Sequence, residues 1–126
     1  MTGGFWVAED TASGRIVGTI ACEPPRIQPG DRVSPWRAEP GAEAELRRMS
    51  VAASHRGRGI SRLLLAALER HARAKGFDRV VLGTSAWQAR AVRVYPRLGF
   101  ARVKTAQVPS AWLPVVQISF FAKELK

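Results

Sequence analysis

The sequence predicts an α/β (α+β) domain: a mixed, mostly antiparallel, twisted sheet around a central β-α-β unit, in the order β-β-β-α-β-α-β-β. Three observations carry this. Apolar and polar residues alternate in runs near both ends of the chain, two middle segments have helical spacing, and one continuous apolar run lies between those two segments. Alternation marks strands with one solvated face, and a continuous apolar run marks a strand covered on both faces, as parallel strands usually are. The middle β-α-β is expected to be a right-handed parallel crossover, with antiparallel hairpins at the ends.

Residues 5–10, "FWVAED", alternate; "TASG" reads as a turn, and residues 15–23, "RIVGTIACE", as the returning strand of a hairpin. Residues 24–41 hold five of the eight prolines. Proline cannot donate to a ladder, so this stretch reads as an irregular loop, and loops that long are usually functional or mobile. Residues 44–51, "AELRRMSV", alternate again, placing Glu45, Arg47, Met49 and Val51 on one face and Leu46, Arg48 and Ser50 on the other. Residues 59–75 have helix spacing, with Ile60, Leu63, Leu64, Ala67, Leu68 and Ala72 as the apolar stripe and Gly76 as the C-terminal cap. "RVVLGTS", residues 79–85, is the continuous apolar strand. "AWQARAVRVY" follows as a second helix, expected to stop at Pro96 and Gly99, and "ARVKTA" and "VVQISFFA" read as closing strands.

The 126 residues and 46% hydrophobic content suit one small globular domain over residues 1–126, without repeats or low-complexity tails. The longest apolar stretch, residues 111–122, is broken by Pro114, Gln117 and Ser119, well short of the ~20 residues of a membrane span. The opening "MTGGFWVAED" lacks the basic start and apolar run of a signal peptide. A single cysteine, Cys22, excludes an internal disulfide and a multi-cysteine metal site, and its apolar surroundings mark it as a buried, inert thiol. The two histidines lack metal spacing, so no metal is expected; His71 reads as a partly exposed helix residue and His55 as a solvated turn residue. These features point to a soluble chain in a reducing, intracellular compartment.

The formal charge of +10 is unevenly placed. Residues 1–46 hold four arginines and seven acids, while residues 47–104 hold fourteen lysines and arginines against Glu69 and Asp78. Such a block calls for an anionic partner: nucleic acid, an anionic membrane surface or a phosphorylated cofactor.

One stretch selects among these. "SHRGRGISR" sets two glycines and three arginines at the start of the longer helix. A helix N-terminus offers unpaired N–H groups and a partial positive charge, and glycine lets a ligand approach the backbone closely. Together they build an anion site, here from the amides of Arg58, Gly59, Ile60, Ser61 and Arg62 beside Gly57, with charge from Arg56, Arg58 and Arg62. Neither a Walker P-loop nor the dinucleotide G-x-G-x-x-G pattern fits.

"RGRGIS", the helix after it and "YPRLGF" resemble the GNAT superfamily of acyl-CoA-dependent N-acyltransferases, whose signature is Q/R-x-x-G-x-G/A at a helix start and a tyrosine shortly before G-F about forty residues on. Arg56, Gly59 and Ser61 take the three signature positions; serine departs from the usual glycine or alanine, yet is small and can donate. "FWVAED", "ELRRMSV" and "VVLGTS" are similar to segments of the camello-like branch. The resemblance covers residues 44–100. It implies a GNAT-like fold that lacks its first strand and first two helices here, acetyl-CoA as co-substrate, and direct acetyl transfer to a primary amine of a small molecule or polypeptide. It implies that full-length relatives are often anchored in the endoplasmic-reticulum membrane, and it leaves a homodimer open.

The resemblance also assigns roles. Tyr95 matches the general acid that protonates the departing thiolate, and Glu45 the position of a glutamate base, a task that water performs in other members. The backbone of Met49, Ser50 and Val51 would pair with the pantetheine arm, and an N–H near Met49 would polarise the thioester carbonyl. Gln88 takes the place of a cofactor-binding asparagine, and Arg90, Arg93 and Arg97 form a solvated face near the CoA 3′-phosphate; Trp87 either lines the acceptor pocket or packs on the sheet, packing being the plainer reading. Two other readings stand beside this one. One is a basic nucleic-acid-binding module stacking bases on Trp87, Tyr95 and Trp112. The other is a degenerate GNAT-fold protein that binds CoA without turnover.

Overall fold

The computed structural model describes residues 3–25, 35–36, 42–85, 88–108 and 116–126. The N-terminal alternation folds as a hairpin: β1 (Gly4–Glu9) and β2 (Ile16–Glu23) pair antiparallel from Gly4↔Cys22 to Glu9↔Ile16. Its turn is closed by the Asp10 amide donating to the Arg15 carbonyl at 2.8 Å and the Gly14 amide donating to the Asp10 carbonyl at 2.7 Å. β3 (Glu43–Val51) lies antiparallel to β2 and parallel to β4 (Arg79–Ser85). β5 (Ala101–Val108) and β6 (Val116–Glu124) are antiparallel, and β6 also pairs antiparallel with β4 along its whole length. The sheet order is β1-β2-β3-β4-β6-β5, so the last strand is threaded between its two predecessors. α1 (Ile60–Ala74) connects β3 to β4 and α2 (Ala89–Arg97) connects β4 to β5. This is the expected element order, with a 3₁₀ turn at Ala53–His55 added before α1.

One apolar cluster joins the sheet to both helices: Ile20, Leu46, Val80, Leu82 and Phe121 meet Leu64, Leu65 and Leu68 of α1 and Tyr95 and Leu98 of α2 and its cap. Cys22 lies in this cluster, and burial, aided by neighbouring Glu23, pushes its thiol up to about 11, so it is the inert group its sequence context implies.

Three expectations need correction. The buried face of α1 is rotated from the predicted stripe: Leu64, Leu65, Leu68, Glu69 and Ala72 are buried, and Leu63 is 70% exposed. Glu69 can face inward because Lys123 Nζ, at 2.9 Å, and Arg73 Nη2, at 3.4 Å, neutralise it. α2 starts later than expected, and Pro96 sits inside its last turn rather than ending it. Proline there removes one amide donor, while the Leu98 amide still reaches the Val94 carbonyl at 3.1 Å and Gly99, at φ 96°, makes the stop. The strict alternation of β3 fails at Arg48, whose φ is 55°, within the register shift opposite Thr19 and Ala21. Leu46 faces the core, and beyond the bulge Met49 and Val51 pack against that same core instead of sharing a face with Glu45 and Arg47. Of the proline-rich stretch, only residues 24–25 and 35–36 are described; Trp36 sets its ring edge against Phe120, with centroids 5.6 Å apart.

Candidate active site

β3 and β4 form the sheet's parallel pair, and their ladder has three steps: Glu43↔Arg79, Ala44↔Val80 and Glu45↔Val81. Past Glu45 the strands part, with β3 bulging at Arg48 toward β2, where the Thr19 hydroxyl donates to the Arg48 carbonyl at 2.8 Å. The opening is a cleft of about 990 Å³. One wall is β3 from Glu45 to Val51; the others are Leu82, Gly83 and Thr84 of β4, the turn before α1, and the inner side of α2.

The turn is shaped for a ligand that approaches main chain. Gly57 and Gly59 have φ of 79° and 77°, a region open to glycine, and a Cβ built on either meets nothing within 4 Å. Gly59 is the N-cap of α1 and supplies no side-chain cap, so the first-turn amides are left for another acceptor. α1 is pressed against the sheet at Gly18, where a Cβ would stand 3.0 Å from Leu64 Cδ1 and 3.1 Å from Ile60 Cγ2. That close approach brings the helix start to the mouth of the cleft. Arg47, Arg48, Arg56, Arg90, Arg93 and Arg97 line the cleft against one carboxylate, Glu45, a field suited to a polyanion.

Of the residues singled out from the sequence, Glu45, Met49, Ser50, Val51, Arg56, Gly57, Gly59, Ile60, Ser61, Gln88 and Tyr95 all line this one cleft. Arg58 and Arg62 do not. The Arg62 guanidinium donates to the Arg97 carbonyl at 3.0 Å, tying α1 to α2, and faces a smaller groove of about 420 Å³ beside Glu69. Arg56 Nε donates back to the Val51 carbonyl at 3.3 Å. Glu45 is not freely solvated: its Oε1 lies 2.7 Å from Arg47 Nη2, while Arg47 Nε, 3.3 Å from Glu23 Oε1, is buried and misaligned for a hydrogen bond. Gln88 Oε1 accepts a hydrogen bond from the Thr84 hydroxyl, which leaves its amide N–H₂ for a ligand. Tyr95 is buried against Phe100 and Phe121, with ring centroids 5.5 and 6.0 Å away, so it is no exposed base-stacking residue. Burial pushes its phenol up to about 12, and it keeps its proton at neutral pH. His55, expected to be solvated, is hydrogen-bonded instead. Trp87 and Trp112 lie outside the described residues.

Sequence reasoning missed Thr84, and four-residue spacing to Gln88 was the available signal. It also missed that Arg47 and Arg48 face the cleft, since their placement depends on the bulge.

The Acetyltransferase (GNAT) family profile matches residues 1–100. The chain belongs to this family. It is 35% identical over 119 residues to mouse N-acetyltransferase 8, covering 94% of this chain and 48% of that protein. An N-acetyltransferase from Staphylococcus aureus Mu50 superposes with a TM-score of 0.75 at 26% identity, covering 98% of this chain and 68% of that one. Salmonella typhimurium yncA, solved with its cofactor acetyl-CoA, superposes with a TM-score of 0.72 at 23% identity, covering 97% and 64%. The chain spans about half the length of the curated relatives it matches. Among the described residues, no helix is long and apolar enough to cross a membrane.

Proposed function

We propose that this chain binds acetyl-CoA in the β3–β4 cleft and transfers its acetyl group directly to a primary amine. The observation that carries the reading is the turn before α1: two left-handed glycines, open space above them, and first-turn amides without a side-chain cap, all at the mouth of a cationic cleft. Membership in the acetyltransferase family fits the same site. The amides of Gly59, Ile60 and Ser61 receive the diphosphate, and Arg56, Arg93 and Arg97 offset further charge. β3 beyond Glu45 lacks a β4 partner, so the backbone of Met49 to Val51 can pair with an extended amide chain as an added strand does.

Acetyl-CoA, when bound, supplies an activated thioester. This chain's residues then do three things. A backbone N–H near Met49 polarises the thioester carbonyl. Glu45, with one oxygen held by Arg47, takes a proton from the acceptor's ammonium, directly or through water, and the neutral amine so formed attacks the carbonyl. Tyr95, protonated at neutral pH, donates its O–H toward the departing sulfur. A phenol near 12 is a weaker acid than a thiol, so Tyr95 acts chiefly as a hydrogen-bond donor that parts with its proton late.

The test combines melting curves with a CoA-release assay over a panel of primary amines. Acetyl-CoA at about 1 mM is expected to raise the melting temperature by several degrees, since a ligand bound only by the folded state stabilises it. Tyr95→Phe is expected to keep that shift and lose about a hundredfold in kcat. Absence of a shift, with no CoA released from any amine, defeats the proposal.

A further inference from the structure

A second contact network lies directly upstream of the phosphate-facing turn. His55 ends the 3₁₀ turn at Ala53–His55, immediately before the Arg56–Gly59 loop. Its Nε2 is 2.9 Å from Asp10 Oδ2, and its Nδ1 is 2.8 Å from Ser54 Oγ. Asp10 is forty-five positions away, at the tip of the β1–β2 hairpin, and is itself fixed: its Oδ1 accepts the Ala12 amide at 2.9 Å. The imidazole is therefore held at both nitrogens. A neutral ring with the proton on Nε2 donates to Asp10 and accepts from Ser54, so the clamp needs no charge on His55. The hydrogen bond from His55, followed by that from Ala12, lowers the Asp10 carboxyl below its ordinary range.

We infer that the Asp10–His55 bond positions the diphosphate-binding turn by tying it to the β1–β2 hairpin. Main-chain hydrogen bonds hold the turn only at its two ends: the Ala52 amide donates to the Val17 carbonyl at 2.8 Å, the His55 amide to the Ala52 carbonyl at 2.9 Å and the Arg56 amide to the Ala53 carbonyl at 3.4 Å on one side, and the Leu63 amide to the Gly59 carbonyl at 3.2 Å on the other. Between them, Arg56, Gly57, Arg58 and Gly59 are exposed, and both glycines could sample many conformations. A loop of that kind binds through its amides only when its entry is held, because ordering it on binding costs affinity. Asp10 is outside the cleft lining; His55 lines the cleft, but both its ring nitrogens are engaged by Asp10 and Ser54, so the pair acts through the loop: His55 is a positioning residue.

This inference rests on the proposed acetyl-CoA site. The test measures acetyl-CoA affinity by calorimetry, together with kcat and KM, for the full chain and for Asp10→Ala, His55→Ala, the double variant and Asp10→Asn. Each alanine variant is expected to weaken acetyl-CoA binding about tenfold, the worth of one hydrogen bond to a charged group, with kcat at saturation within about twofold. The double variant is expected to match the singles, since either change breaks the same bond. Asp10→Asn keeps an acceptor and restores most of the affinity. Melting curves without ligand show whether each variant is folded. Wild-type binding with undiminished affinity in folded alanine variants, or losses that multiply in the double variant, overturns the inference alone. If the wild type fails to bind acetyl-CoA, the proposed site falls and this inference falls with it.

Discussion

Gly59→Ala separates two jobs that one residue performs. Its φ of 77° lies in the left-handed region, where a side chain costs about 1 kcal/mol, and the space around a built Cβ is empty within 4 Å, so no clash adds to that figure. The free protein should therefore melt only about 3–5 °C lower. Acetyl-CoA binding should suffer more: the added methyl stands where the diphosphate approaches the amides, and losing one charge-assisted hydrogen bond costs about 1.5–3 kcal/mol, or roughly ten- to a hundredfold in Kd. Gly76→Ala is the control. Gly76 has φ 83°, has an equally empty Cβ position, and sits just past the C-terminal end of α1, away from the cleft lining and from the β1–β2 hairpin. It should lower the melting temperature by a similar amount and leave acetyl-CoA affinity unchanged. Differential scanning fluorimetry and calorimetry on the two variants decide the matter. Equal affinities for both variants, or equal losses, would refute the assignment of the amides to the ligand.

Two further outcomes concern stability. Leu68→Ala, at a fully buried site, should cost about 3 kcal/mol in denaturant unfolding, whereas Leu63→Ala, 70% exposed, should stay within about 0.5 kcal/mol of wild type. Comparable losses would restore the predicted helix stripe. Stability should also fall in alkali. The folded state raises Cys22 to about 11 and Tyr95 to about 12, so it holds these protons more tightly than the unfolded chain. Their contribution is complete below about pH 8.5 and is lost as pH rises through 9–11 for the thiol and 10–12 for the phenol. Urea midpoints of Cys22→Ser and Tyr95→Phe across pH 8–11 should each show a shallower fall than wild type.

Much of the fold was legible because each element carries a local signature. "RVVLGTS" is apolar on both faces because Val80 and Leu82 meet the cluster under α1 and α2 while Val81 is buried on the opposite face, where Phe120 lies against Gly83, and its bounds came out as read. The glycine turn at the start of α1 was legible for the same reason: Gly57, Gly59 and the helix start lie within a few residues of one another. What escaped depends on partners far along the chain. The inward rotation of α1 rests on Lys123 reaching Glu69 across fifty-four positions, and polar residues are ordinarily assigned outward. The β3 bulge hides because "ELRRMSV" alternates acceptably in either register, and it takes pairing with β2 to show that Arg48 absorbs an extra residue. His55 resembled any turn histidine until the hairpin tip, forty-five residues earlier, was seen beside it.

The threading of β6 between β4 and β5 bears on how the protein is made. A nascent chain that has emerged through β5 still leaves the open edge of β4 without its seven-step antiparallel partner, and β5 without any neighbour in the sheet. The closing strand is thus central in space although late in synthesis. Until the ribosome releases it, an apolar edge waits bare, and edges of that kind invite pairing between chains. Translation stalled or cut short before Val116 should therefore leave an aggregation-prone remnant rather than a smaller folded domain.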